Sequence, residues 1–214
     1  MTFYKKFPTF VIVHHYNLLL FTFKEAVILS LILLKCDGRV KNKFPYQISL
    51  IIKETGIARN TVIQALIRLR NMDVINILNG KEIYLTASAI SVEEMLDDII
   101  TEKKRKRGSS YYSVSSGHTN FNFELMKILK LNETQYAILH SYFILSKKTG
   151  YARIGKGYFL YYFRIKERQF KYIKSKLIKE KYISKHPYTE EIYVEEWVRK
   201  LFNDYIISDS SVLN

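Results

Sequence analysis

The feature that most constrains the fold of this chain is an internal repeat. The segment 57–75 aligns without a gap on the segment 165–183, which lies 108 positions later. Matching apolar residues run through both segments: Ile57, Val62, Ala65, Leu69, Val74 and Ile75 fall on Ile165, Phe170, Ile173, Leu177, Tyr182 and Ile183. The pairing continues upstream at an offset of 110, in 25–29 with 135–139 and 13–19 with 123–129. The sequence therefore predicts two copies of one folding unit.

Charge supports the division into residues 1–90, a connecting segment 91–118, and residues 119–214. The formal net charge of the chain is +14, and each copy carries +7 while the connecting segment is neutral. With 214 residues, 48% of them hydrophobic, the chain has enough apolar material for two buried cores and is not a disordered polymer. The positive electrostatic potential of such a chain favours polyanionic partners, of which nucleic acid is the first candidate.

The first copy is predicted as three helices followed by a hairpin. Thr22 and Glu25 have the spacing of a capping box, which starts a helix over 22–35. A second helix over 46–55 ends at Gly56, and a third over 59–72 has apolar residues at helical spacing. Asn79-Gly80 between two apolar runs predicts a two-stranded hairpin, with strands 74–78 and 81–85.

The second copy follows the same outline. Its predicted helices cover 132–147, 158–163 and 166–180, and its hairpin strands cover 182–185 and 192–194. Short strands at 10–13 and 120–123 precede the first helix of each copy. Between the copies, a helix over 91–104 leads into the basic run Lys103–Arg107 and a Ser/Gly/Tyr linker. The predicted fold class is mainly α with small β-hairpins, that is α+β.

This order of elements resembles the winged-helix family of helix-turn-helix DNA-binding domains. The residues that carry the resemblance are Gly56-Ile57 at the turn, Thr61-Val62, Ala65-Leu66 and Leu69 in the third helix, and Asp73-Val74-Ile75 entering the hairpin. The resemblance implies two tandem winged-helix domains. The entry strands, together with Phe44-Pro45-Tyr46, are similar to the DNA-binding modules of plasmid and phage replication proteins.

In the winged-helix family the third helix enters the major groove and the hairpin lies along the DNA backbone. The resemblance therefore implies a set of DNA-contacting residues in each copy. In the first copy these are Arg59, Asn60, Thr61, Gln64, Arg68 and Lys81. In the second copy they are Lys166, Arg168, Gln169, Lys171, Tyr172, Lys174 and Lys185. The first set can match base edges, whereas the second consists mainly of point charges, which suit phosphate.

The sequence offers little for catalysis or metal binding. The histidines His14 and His15 are adjacent, and Asp97-Asp98 and Glu195-Glu196 are side-by-side pairs that a helix points apart. The single cysteine, Cys36, excludes an intrachain disulfide and a cysteine-rich zinc site. We therefore expect no enzyme activity, no catalytic residues, no metal and no cofactor.

The expected partner is double-stranded DNA, and the expected function is that of a transcriptional regulator or of a plasmid or phage replication initiator. A second class of function stays open, in which the winged helices bind protein or dimerise without reading DNA. A second copy of the chain and the replication or transcription machinery are further candidate partners. The basic run Lys103–Arg107 is open to three interpretations: a solvated helix end, a phosphate or minor-groove arm, or a nuclear targeting signal. Charged residues interrupt the longest apolar stretch, so no membrane span is expected, and the expected location is the cytoplasm, associated with the nucleoid.

Overall fold

The described part of the chain consists of helices and small antiparallel sheets. The computed structural model describes residues 10–36, 43–45, 47–78, 80, 82–86 and 117–210. These residues form two units, a first within Val11–His118 and a second that consists of Phe10 and the described residues of Thr119–Asn214. The α+β class predicted from the sequence is confirmed at this level. The predicted connecting helix 91–104, the basic run and the linker lie outside the described residues.

The first unit combines three α-helices with a small three-stranded sheet. Its elements are β1 (Phe10–His14), a 3-10 helix (His15–Leu19), α1 (Phe23–Cys36), β2 (Lys43–Pro45), α2 (Ile48–Thr55), α3 (Arg59–Asn71), β3 (Ile75–Leu78) and β4 (Glu82–Leu85). The sheet has the order β2-β4-β3 with antiparallel pairs. Strand β3 begins one residue later than predicted, and Leu78 pairs with Glu82 across the hairpin.

A capping box starts helix α1, as the sequence predicts. The backbone N–H of Thr22 donates to Glu25 Oε2 at 2.8 Å, and the Glu25 N–H is 3.4 Å from Thr22 Oγ1. The helix then buries apolar side chains on several sides, among them Val27, Ile28 and Leu31. Helix α1 is therefore the central element against which α3 packs.

The turn between α2 and α3 depends on the backbone of Gly56. This residue has a φ of 72°, and its N–H donates to Ile52 O at 2.8 Å. Thr55 supports the same turn, because its hydroxyl donates to Ile51 O at 2.7 Å and accepts from the Ile57 N–H at 3.1 Å. Only glycine adopts this left-handed conformation without a steric cost from Cβ.

We expect Gly56→Ala to lower the free energy of unfolding by about 1–2 kcal/mol, since alanine at positive φ is strained. Gly56→Asn should lose less, because asparagine enters the left-handed region more readily. Urea unfolding followed by far-UV circular dichroism measures both variants. Equal losses for the two would contradict a conformational origin.

The second unit repeats the element order of the first. Its elements are β5 (His118–Asn122), α4 (Phe123–Ile128), α5 (Glu133–Ser146), α6 (Lys156–Tyr162), α7 (Glu167–Lys179), β6 (Ile183–Lys185), β7 (Ile192–Val194) and α8 (Glu196–Ser210). Ala152 forms an isolated antiparallel bridge with Ile192, through hydrogen bonds of 2.8 and 3.0 Å. This bridge occupies the place that β2 holds in the first unit.

Local backbone details match between the units as well. Asp73 and Lys181, 108 positions apart, have φ values of 56° and 57° at the end of the third helix. The next residue in each unit donates its N–H back into that helix, Val74 to Leu69 O at 3.0 Å and Tyr182 to Leu177 O at 2.9 Å. The repeat therefore extends to the geometry with which the chain leaves the helix.

Three features of the second unit were not predicted from the sequence. Helix α6 begins at Lys156, two residues before the predicted start, because the chain turns into the helix at Gly155. Arg164 takes the left-handed conformation, with a φ of 51°, at the position of Gly56. Helix α8 was not predicted, and its Phe202 is fully buried against α5.

Candidate nucleic-acid interface

Helix α3 of the first unit separates its side chains into a buried face and an exposed face. Its buried residues are Val62, Ala65, Leu66 and Leu69. With 3.6 residues per turn, positions 60, 64, 67 and 71 lie on the side opposite to these. Those positions hold Asn60, Gln64, Ile67 and Asn71, and all four side chains are exposed. This row is therefore neutral, with three amides and one apolar group, and the exposed arginines Arg68 and Arg70 flank it.

The start of α3 leaves its first backbone N–H groups without a side-chain cap. The N-cap residue is Ala58, and the first turn contains no acidic residue. Arg59 is exposed there, while Thr61 is half-buried. The free N–H groups and the positive end of the helix dipole make this end attractive to an anion such as a phosphate.

Arg68, predicted to contact DNA, is engaged within the first unit. Its Nη1 lies 3.1 Å from Glu25 Oε1, and its Nη2 lies 3.4 Å from Leu20 O. In the second unit, Lys176 Nζ lies 3.5 Å from Gln135 Oε1 at the corresponding place. Arg68 thus links α3 to the capping box of α1, which is a structural contact within the unit.

Helix α7 of the second unit presents a different chemistry at the same positions. Phe170, Ile173 and Leu177 are buried. The opposite side holds Arg168, Tyr172, Ser175 and Lys179, all exposed. The Tyr172 side chain is 66% exposed, so its aromatic ring is accessible to a partner. The exposed face of α7 is therefore cationic and aromatic. Of the other residues predicted here, Lys166 and Gln169 are exposed at the start of the helix.

Lys171 contacts a carboxylate of its own helix. Its Nζ lies 3.0 Å from Glu167 Oε1, and Lys156 Nζ lies 2.9 Å from the same atom. Hydrogen bonds from these two lysines hold the pKa of Glu167 below its usual range. Exposed pairs of this kind contribute little to stability, so both lysines stay available to exchange their partner for another anion.

Lys174 and Lys185 meet at the hairpin loop of the second unit. Glu190 lies 3.0 Å from Lys185 Nζ and 3.9 Å from Lys174 Nζ. Burial lowers the pKa of Lys174, and the Glu190 carboxylate opposes this shift. Position 174 corresponds to Leu66, which is fully buried in the first unit. Lys174 is therefore a half-buried link between α7 and the loop.

The hairpin loop has a second, more buried attachment through Glu191. This carboxylate accepts from Arg153 Nη2 at 2.7 Å and from the Tyr193 hydroxyl at 3.1 Å. The hydrogen bonds to Arg153, Tyr193 and Thr189 lower the pKa of Glu191 against the opposing effect of burial, which is the larger single influence. At the tip, Tyr188 is 92% exposed. The loop thus presents an aromatic ring on an anchored base.

The structure places the described members of the predicted DNA-contacting set in two settings. Arg59, Asn60, Gln64, Lys166, Arg168, Gln169 and Tyr172 are exposed on the third helices, with Thr61 half-buried beside them. Arg68, Lys171, Lys174 and Lys185 hold carboxylates of their own unit. Lys81 lies outside the described residues. Sequence reasoning missed Ile67, Asn71 and Lys179. Continuing the 3.6-residue period of exposed positions to the end of each helix identifies all three.

Three further observations bear on the class of protein. Among the described residues, no group of three or more His, Cys, Asp or Glu is arranged to hold a metal ion. Within the same residues, no helix combines the length and apolar character that crossing a bilayer requires. Comparison of the chain with family models, curated proteins and solved structures gives no match.

Proposed function

We propose that this chain is a sequence-specific double-stranded DNA-binding protein with two tandem winged-helix domains. Its role would be that of a transcriptional regulator or of a plasmid or phage replication initiator. The proposal is supported by the order of helices and hairpin in each unit, in which the third helix carries an exposed polar face. The observation that carries it is the face of α7, where Arg168 and Lys179 stand on either side of Tyr172.

The electrostatics of the chain agree with a polyanionic partner. Between Arg153 and Lys185 there are 11 Lys or Arg residues, opposed within the segment only by Glu167 and Glu180. DNA presents one negative charge for about every 1.7 Å of duplex, so a cationic helix face gains affinity by releasing counterions. Helix α3 has neither a side-chain cap nor an acidic residue in its first turn, which leaves backbone N–H groups for phosphate at its start.

The variant Arg168→Ala/Lys179→Ala tests this face. If both side chains contact phosphate, the slope of log affinity against log salt should fall in magnitude by about two units. Affinity for unrelated duplex sequences should fall in parallel, because phosphate contacts do not discriminate bases. Fluorescence anisotropy of a labelled duplex at several salt concentrations gives the slope.

The matched control is Lys200→Ala, which removes an exposed cation from α8 of the same unit. We expect this variant to retain the slope of the unaltered chain. A loss of slope with Lys200→Ala, together with an unchanged slope in the double variant, would place the DNA-contacting face elsewhere.

Protein docking is the second candidate function, and exposed aromatic residues in the second unit favour it. Tyr172, Tyr188 and Trp197 are 66%, 92% and 46% exposed. Aromatic side chains of this kind are enriched at protein interfaces. A chain that bound duplex DNA weakly, with little dependence on salt, would support this candidate over the first.

A further inference from the structure

The exposed face of α3 has the chemistry of an adenine and thymine reader. Resting on the proposed DNA binding, we infer that the first unit recognises an A·T-rich stretch in the major groove through Asn60, Gln64, Asn71 and Ile67. These residues have the spacing i, i+4, i+7 and i+11, so they form one row along the helix. The row is about 16 Å long, which corresponds to about five base pairs.

The amide groups select adenine because of their paired donor and acceptor. A carboxamide can donate to adenine N7 while it accepts from the N6 amino group. Guanine presents two acceptors at the same edge, N7 and O6, which would leave the amide oxygen of Gln64 facing another acceptor. Guanine is better matched by arginine, and the row itself contains none: Arg68 beside it is held by Glu25, while Arg59 and Arg70 lie on its other flank.

Ile67 adds a contact that only thymine can satisfy. Its side chain is 47% exposed in the middle of the row, between the amides of Gln64 and Asn71. The C5-methyl of thymine is the apolar group at the floor of the major groove, and cytosine has none. In an A·T pair whose adenine is bound by one of the amides, the Ile67 side chain would therefore contact the methyl group of the thymine.

The second unit lacks this chemistry at the equivalent positions. Asn60, Gln64, Ile67 and Asn71 correspond to Arg168, Tyr172, Ser175 and Lys179. Lys179 is a point charge that attracts phosphate whatever the base sequence, and Arg168 would match guanine rather than adenine. A preference for A·T pairs should therefore arise in the first unit.

The first test is the selection of bound molecules by the full chain from a duplex pool with a random core. We expect runs of A·T pairs to be enriched. A selected duplex is then resynthesised with deoxyuridine in place of one thymidine at a time, which removes a single C5-methyl from each duplex. Loss of one buried methyl should weaken binding by about fourfold.

Two variants assign the contacts. Ile67→Ala should bind the thymidine duplex more weakly and show no further loss with deoxyuridine, whereas Ser175→Ala, at the equivalent place in the second unit, should keep the full deoxyuridine effect. Gln64→Ala should lose about 5- to 150-fold on the selected duplex and little on a G·C-rich one. Tyr172→Ala, its counterpart, should not change the ratio of the two affinities.

The outcomes separate this inference from the DNA-binding proposal. Salt-dependent binding with G·C-rich selected sites, or a deoxyuridine effect that persists in Ile67→Ala, overturns the A·T assignment and leaves the proposal standing. A chain that binds no duplex at low salt overturns both.

Discussion

Raising the salt concentration from about 50 to about 200 mM should weaken binding of the chain to duplex DNA by about 10³- to 10⁵-fold. The physical reason is counterion release. If each unit places about 3–5 cations on phosphates, the chain makes about 6–10 contacts, and each contact adds about 0.9 to the slope of log affinity against log salt. Arg59 in the first unit and Lys166, Arg168 and Lys179 in the second are exposed on or beside the third helices and are the first candidates for these contacts.

Fluorescence anisotropy with a labelled duplex, at five or so salt concentrations in that range, measures the slope directly. A neutral polymer crowder at matched osmolarity serves as the control for non-ionic effects. A slope near zero would show that the charge of +14 serves another purpose.

Replacing Phe202 by alanine should lower the free energy of unfolding of the second unit by about 3–5 kcal/mol. The Phe202 ring is fully buried and stacks on Phe143 with 4.6 Å between the ring centroids. The ring centroids of Tyr136 and His140 each lie 5.7 Å from the ring centroid of Phe202. Truncation removes the apolar contact and leaves a cavity among rigid rings that cannot close it.

The single tryptophan makes this effect easy to measure. Trp197 lies on the same helix, where its Nε1 donates to Lys181 O at 3.1 Å and its ring faces Tyr182. Its fluorescence therefore reports urea unfolding of the second unit. Asn203→Ala removes the exposed neighbour of Phe202 and should change the unfolding free energy by less than about 0.5 kcal/mol. If Phe202→Ala cost no more than this control, α8 would not belong to the core.

Most elements of the fold could be predicted because their signals are local. Helical spacing marked α3 and α7 to within one residue, and Gly56 marked the turn before α3. Helix α8 was missed although Val198, Leu201 and Phe202 have helical spacing, because the element follows the repeat and has no template in the first copy. Strand β2 is too short for a periodic signal, and pairing with β4 alone defines it.

The candidate site was harder to predict because it depends on contacts between distant residues. In the sequence, Arg68 looks like a residue that contacts DNA, because it lies at a polar position of the third helix. Its partner Glu25 lies 43 positions away, so only the packing of α3 on α1 reveals the ion pair. Lys174 could have been recognised, since the repeat aligns it with the buried Leu66. His140, another residue of the second copy, is fully buried within α5, where the surrounding rings exclude it from any surface role.

The anchored loop of the second unit has a thermodynamic consequence. The buried Glu191 fixes its base through Arg153 and Tyr193, so its backbone is ordered before any partner arrives. A free loop would lose about 1–2 kcal/mol of conformational entropy per residue when a partner immobilises it. In this loop, much of that entropy is already lost when the chain folds. A macromolecule that binds at Tyr188 therefore contacts a preorganised loop. Its affinity is set by the contacts that form and is not reduced by the entropy cost of ordering the loop.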